Sequence, residues 1–548
     1  MVPFWRNNPG TAVFNDKKGA LENIIFKDTP STHTKADIKR ADALVCENKL
    51  DKAYKIYKDI LGENSKQADA LLGIGIILKK QQKFDLAIQF LSKAVEANPA
   101  KIQALLTRGR ILRLQGMSAN AISDFTKIIS NHPDNFEALI ARGITHGQAC
   151  QFNMAIDDFN MAIKINADSG EAFYNRGVAY EKMHEFDAAI EDYSFAIKLN
   201  PHDYKAYNNR GVARRETKCF DAAIKDFDKC VEINPDFAEG YYNKSLTLLS
   251  VGRLREGFKL YEYRWKTNYF QSQVRHFSQP LWLGKESLTG KTILVHSEQG
   301  FGDSIQFCRY IKFFETIKCR VLLEIEKPLM SLMQSLLPGE SIFEKGSHLP
   351  AFDYHCPLMS LPHAFGTTLE NIPSPRAYLG VSSLHKKYWG KYLGKKTKPR
   401  VGVVWQGNPQ HPRDCHRSLP LADLITELTE NIEWFSLQFE IAKEEEDLIS
   451  KEKIMTHFGT KLGNFEHSAG LIENLDAVLS VDTSMAHSAA AIGKPVYLLL
   501  GNVADARWLC DMSSSPWYST MKIFNKEDSQ NWCDVIKKAI THIQTQEM

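Results

Sequence analysis

The sequence predicts an α-solenoid followed by two parallel-sheet α/β domains facing a cleft, and three observations predict it. Gly75, Gly109, Gly143, Gly177 and Gly211 stand 34 residues apart, and Ala53, Ala87, Ala121, Ala155, Ala189 and Ala223 keep the same period. Such a period belongs to stacked helical hairpins, each too small to bury its apolar face alone. Pro99, Pro133, Pro201 and Pro235 fall on the same grid as helix stops. From about residue 290 the period ends, and short β-branched runs alternate with helical stretches in two successive groups.

Length and composition narrow the classes. A chain of 548 residues is too long for one core. Sixty-eight Lys and Arg against 65 Asp and Glu leave a formal charge of +3, which gives no net field for nucleic acid or an anionic membrane. The ten cysteines form no C-x-x-C pair, a usage that fits a reducing compartment and argues against disulfides and metal. Neither an apolar leader at the start nor a run of 18 apolar residues is present, so no membrane span and a cytoplasmic location are expected.

Residues 1–33 read as an extension without periodicity. Residues 34–265 read as repeats, six on the grid over 34–237 and a seventh, degenerate unit. In each, a small residue lies where two helices cross closely. The seventh unit has Ser245 on the glycine position and Gly257 on the alanine position, as suits a terminal cap that meets a different neighbour. Ala41 and Ala167 are departures the array should tolerate. The pattern resembles the tetratricopeptide repeat. Its first helices carry Asn175, Arg176, Asn208, Asn209, Arg210, Tyr242 and Asn243 at recurring phases. Planar amides and guanidinium groups can hold an extended peptide by its backbone, and equally can be solvated helix residues.

Beyond a connector at 266–290, strands are expected at 291–296, 319–326 and 352–358, within a first α/β half at 291–387. A lysine-rich, glycine-broken linker at 388–399 leads to a second half at 400–548, with strands at 400–405, 434–438, 477–481, 496–500 and 521–524. In paired sheets of this kind, ligands sit in the cleft at the carboxyl ends of the strands.

Three segments carry candidate chemistry. Gln299-Gly300-Phe301-Gly302-Asp303 lies where a strand hands over to a helix, and its glycines permit a tight turn with open N–H groups. Asp303 is a helix cap or a reacting carboxylate. Asp482-Thr483-Ser484-Met485-Ala486-His487 opens a small-residue helix whose first N–H groups suit a phosphate. There Asp482 would serve as cap or as acceptor for sugar hydroxyls, and His487 is structural or a ligand. Gly407-Asn408-Pro409 with Arg417-Ser418 forms a polar loop in which Arg417 could grip a diphosphate.

Taken with Pro280-Leu-Trp-Leu-Gly284 and Ser515-Pro-Trp-Tyr518, these segments resemble the glycosyltransferase domain joined to tetratricopeptide repeats in bacterial proteins. That domain is similar to the heptosyltransferase (family 9) lineage of GT-B enzymes, two Rossmann-like halves, and the arrangement is distantly like O-GlcNAc transferase. The resemblance implies an inverting, metal-independent transfer from a nucleotide sugar, with no other cofactor. It implies Asp303 as base, Asp482, Thr483, Ser484 and His487 at the donor, and Arg417 on the phosphates, with Asn408 beside it. Ser484 stands where heptosyltransferases usually carry Gly. A protein acceptor held in the repeat groove by Asn175, Arg176, Asn209, Arg210 and Asn243, flagellin or another surface protein, is the partner implied. A scaffold with a silent nucleotide domain, and a transferase for lipid-linked or polysaccharide acceptors, are the alternatives. The transferase reading requires an open crevice with Asp303 on its wall.

Overall fold

The computed structural model describes residues 35–410, 414–501, 504–527 and 530–546; the expected extension at 1–33 lies outside them. The chain forms two compact units, Met1–Cys219 and Phe220–Met548.

In the first unit, helices alternate with short turns: α1 (Lys35–Cys46), α2 (Leu50–Glu63), α3 (Ala68–Lys80), α4 (Phe84–Ala97), α5 (Ile102–Leu114), α6 (Ser118–Asn131), α7 (Phe136–Gln148), α8 (Phe152–Ile165), α9 (Gly170–Lys182), α10 (Phe186–Leu199) and α11 (Tyr204–Glu216). The period has a steric cause. A Cβ placed on Gly75, Gly109 or Gly143 would lie 2.6, 2.6 or 2.7 Å from Leu91, Phe125 or Phe159 respectively, side chains that are fully buried on the next helix. Each glycine is thus a slot for a large apolar side chain sixteen residues on. Each helix that precedes a grid proline ends two residues before it, and Asn98, His132 and Asn200 turn to extended or neighbouring backbone there. Asn166 takes the same conformation before Ala167, so that departure leaves the turn unchanged.

The second unit starts with α12 (Phe220–Ile233), α13 (Ala238–Ser250) and α14 (Leu254–Tyr261). Strands β1 (Thr292–His296), β2 (Arg320–Ile325), β3 (Ile342–Glu344) and β4 (Tyr354–Pro357) form a parallel sheet in the order β3-β2-β1-β4. A second parallel sheet has the order β10-β9-β8-β5-β6-β7, from β5 (Arg400–Val404), β6 (Glu433–Ser436), β7 (Met455–His457), β8 (Ala477–Val481), β9 (Val496–Leu500) and β10 (Met521–Asn525). Counted from its first strand, that sheet runs 3-2-1-4-5-6, the doubly wound order whose reversal opens a crevice between the first and fourth strands.

Three expectations need correction. The strands β3 and β7 have three residues each, too few for a legible alternation, and both lie on sheet edges. Much of the expected linker is helical: a helix at Ser383–Leu393 starts on Ser382, whose hydroxyl accepts from the His385 N–H, and buries Trp389 against Phe458. Gly394 ends it at φ +68°, so only its last few residues are extended chain. Finally, the expected boundary at 265/266 falls inside a continuous core. Leu249, Leu254, Phe258 and Tyr261 of the terminal hairpin share one apolar cluster with Ile293, Val295 and Trp517, and Phe258 packs edge-on against both Phe307 and Trp517.

Candidate active site

The loop after β1 is anchored from below. Glu298 receives two bonds from the fully buried Arg264, at 2.8 and 2.9 Å, and a third from the Met359 N–H at 3.1 Å. Gln299 donates to the Tyr261 hydroxyl at 2.8 Å. Both residues therefore fix the loop rather than face a ligand. Gly300 caps α15 (Phe301–Phe307), and its N–H, expected to be open, donates to Asp303 Oδ2 at 2.9 Å. A Cβ on Gly302 would lie 2.9 Å from the His487 ring, so glycine there lets the first half approach the second.

At the end of β8 the backbone corrects one assignment. The N-cap of the Ser484–Ala491 helix is Thr483, not Asp482, and it offers no side-chain cap; its hydroxyl lies 3.2 Å from the Ser480 hydroxyl. Asp482 keeps 18% of its side chain exposed, and burial pushes its carboxyl up although Arg507 opposes the shift. Thr483 and Ser484 are likewise half-buried.

The group that ties these pieces together, missed from sequence, is Arg507, in the segment that follows β9. Its Nη2 donates to Asp303 Oδ1 at 2.7 Å, its Nε to Asp505 at 3.0 Å and its Nη1 to Gln306 at 3.1 Å. Burial works against its charge, but Asp505, Asp303 and Asp482 outweigh that and hold the guanidinium charged. Nη1 also lies 3.5 Å from His487 Nε2. A guanidinium only donates, so Nε2 accepts, and the Nδ1–H donates to the Tyr518 hydroxyl at 2.7 Å. Burial, followed by Arg507 and Arg309, holds His487 well below the usual histidine range, hence neutral. Below it Arg309, 2% exposed, donates to Tyr378 and lies over the Tyr518 ring. The floor between the sheets is therefore filled by His487, Trp508, Tyr518 and Arg309, while Asp303, Asp482 and Arg507 stay partly exposed along its rim.

Arg417 joins the same rim. Its Nη1 reaches the Asp482 carbonyl at 3.4 Å and its Nε donates to Asp414 at 3.0 Å. A Cβ on Gly407 would meet the guanidinium at 2.4 Å, so that glycine makes room for it. Asn408 stands apart: it is exposed, and its Oδ1 closes a turn on the Gln410 N–H. As a chemical device, the rim sets two guanidinium groups, Arg507 and Arg417, among the carboxylates of Asp303, Asp482, Asp505 and Asp414 beside a helix N-terminus, and among the described residues no His, Cys, Asp or Glu cluster is gathered for a metal.

The expected acceptor residues have internal partners. Arg176 makes two bonds to Asp192, at 2.7 and 2.8 Å, and one to Asn160 at 2.6 Å. Arg142 does the same with Asp158 and Thr126, and Arg108 with Asp124 and Ser92. Arg210 donates to Ser194 in the corresponding place. The recurrence of arginine at this phase is thus a ladder that ties successive second helices together. Asn175 donates to the Glu171 carbonyl and Asn209 to the Tyr174 hydroxyl. Asn243 is half-buried, its carbonyl accepting from Thr247.

Tetratricopeptide repeat profiles match residues 44–109, 103–135, 170–203 and 204–237, and the helical half is a tetratricopeptide repeat array. The protein FlbA of Caulobacter vibrioides is 23% identical over 315 residues, 53% of this chain and 52% of that protein, so the match spans about half of each. Among solved structures, MamA is 30% identical over 30% of this chain and 97% of its own, at a TM-score of 0.29. YrrB, described as a TPR protein with an unusual peptide-binding site, is 20% identical over 35% of this chain and 98% of its own, at a TM-score of 0.31. No helix among the described residues is long and apolar enough to cross a membrane.

Proposed function

We propose that the chain is an inverting glycosyltransferase, independent of metal, that moves a sugar from a nucleotide sugar to a hydroxyl of a protein acceptor bound by the repeats. Flagellin or another surface protein is the acceptor class. One observation carries the reading: Asp303, Arg417, Asp482 with Thr483, and Arg507 all follow carboxyl ends of parallel strands, β1, β5, β8 and β9, and meet on one rim. In doubly wound sheets that is where ligands bind. Guanidinium groups and helix N–H groups meet a departing diphosphate, and a carboxylate takes the acceptor proton.

The filled floor, and the engagement of both Asp303 oxygens, favour a second reading: a repeat scaffold whose nucleotide domain is silent. The two separate on one measurement. The full chain is incubated with a panel of nucleotide sugars, and nucleotide release is followed with and without Asp303→Asn. Release that the substitution abolishes supports the transferase; neither binding nor release of any donor leaves the scaffold.

A further inference from the structure

Arg507 is one cation among three carboxylates. Its Nε bonds Asp505, whose side chain is 47% exposed, its Nη1 bonds Gln306, and its Nη2 bonds Asp303, 13% exposed and on α15 like Gln306, so the Nη2 bond is the one that occupies the candidate base. Nη1 faces His487, one turn into the Ser484–Ala491 helix, and Asp482 Oδ1 lies 3.8 Å from His487 Nε2. We propose that Asp303 and the diphosphate of a nucleotide sugar compete for the Nη2 edge of Arg507, so that donor binding releases Asp303 and makes it available as base.

This rests on the transferase reading. The chemistry favours the exchange. A diphosphate offers several anionic oxygens to a planar fork of donors, where a lone carboxylate oxygen offers one. Asp303 keeps its second bond, to the Gly300 N–H, and is therefore not stranded when Arg507 turns away. In the step that follows, the acceptor hydroxyl proton passes to the freed carboxylate and the acceptor oxygen bonds the anomeric carbon. The bond from that carbon to the diphosphate breaks, its electron pair staying on the phosphate oxygen that Arg507 holds. A consequence is order: donor binds before acceptor.

The test is titration of the full chain with UDP, GDP, ADP and TDP, and with the corresponding nucleosides, for wild type, Arg507→Gln and Asp303→Asn. The competition gives opposite signs. Arg507→Gln weakens diphosphate binding by roughly tenfold or more, as loss of a charge-assisted pair implies. Asp303→Asn, which keeps an oxygen for Gly300 but surrenders the charge, tightens it several-fold, and nucleoside affinity stays unchanged in both. A merely structural ion pair moves both variants the same way, or neither, and that result overturns the proposal. If wild type binds none of the diphosphates, the transferase reading falls with it.

Discussion

The repeats and the rim of the α/β half are built from the same pair, arginine with aspartate, used in opposite ways. In the repeats Arg108, Arg142 and Arg176 each take both oxygens of one aspartate that is no more than 4% exposed, and a hydroxyl or amide takes the remaining arm. Charge is matched one to one, and the motif recurs every 34 residues. At the rim one guanidinium faces Asp303, Asp482 and Asp505, and no sequence period produces it. A matched pair on a buried aspartate is scaffolding; an over-subscribed guanidinium, whose carboxylates are 13, 18 and 47% exposed, has partners to exchange.

The largest effect is expected where a matched pair is deepest. Arg264→Met strands Glu298 and takes the same guanidinium from Glu262, and should cost about 3–5 kcal/mol in denaturant unfolding. A loss under about 1 kcal/mol would place this pair with the exposed ones. Next, Gly143→Val drives a side chain into Phe159, and an overpacked crossing should cost about 1–3 kcal/mol. If thermal melts of the variant and the parent coincide, the glycine slot is not what sets the period. Breaking one rung should be milder: a double-mutant cycle on Arg142 and Asp158 is expected to give a coupling of about 1–2 kcal/mol, with no change in nucleotide binding.

The most gradual is a pH slope. Burial, with His355 and Arg275 adding, pushes His296 down to about 3, against the ordinary value near 6.5 expected in the unfolded chain. The unfolded state therefore binds more protons between these values. Stability is full above neutrality and falls as pH drops through 6.5 towards 3, by at most about 1.4 kcal/mol per unit from this residue. His296→Leu should flatten that slope in unfolding curves between pH 7 and 5; an unchanged slope would show that His296 is not its source.

The repeats were legible because one steric rule, a slot for a large side chain, recurs at Gly75, Gly109, Gly143 and Gly177 along the grid. The long strands were legible too, since β1, β5, β8 and β9 are buried, largely apolar runs. The edge strands β3 and β7 were not, being too short to show alternation, and the Ser383–Leu393 helix was masked by lysines on its exposed side. At the site, Asp303, Arg417 and Asp482 could be read because each sits beside a glycine turn or a helix start. Arg507 could not: its segment has no motif, and only the fold brings it to Asp303 across 204 residues. The phase of Arg176 was visible, but its cause was not, because the matching Asp192 lies on the following helix.

The terminal hairpin that shares its apolar side chains with the first sheet has a practical consequence. A fragment begun at residue 266 would expose the faces of Trp517, Phe307 and Val295 that Phe258 and its neighbours cover, and it should clump on expression. The shortest piece worth making therefore begins ahead of α12. A change of repeat number upstream of that point leaves this packing untouched, with the last hairpin kept as part of the α/β half.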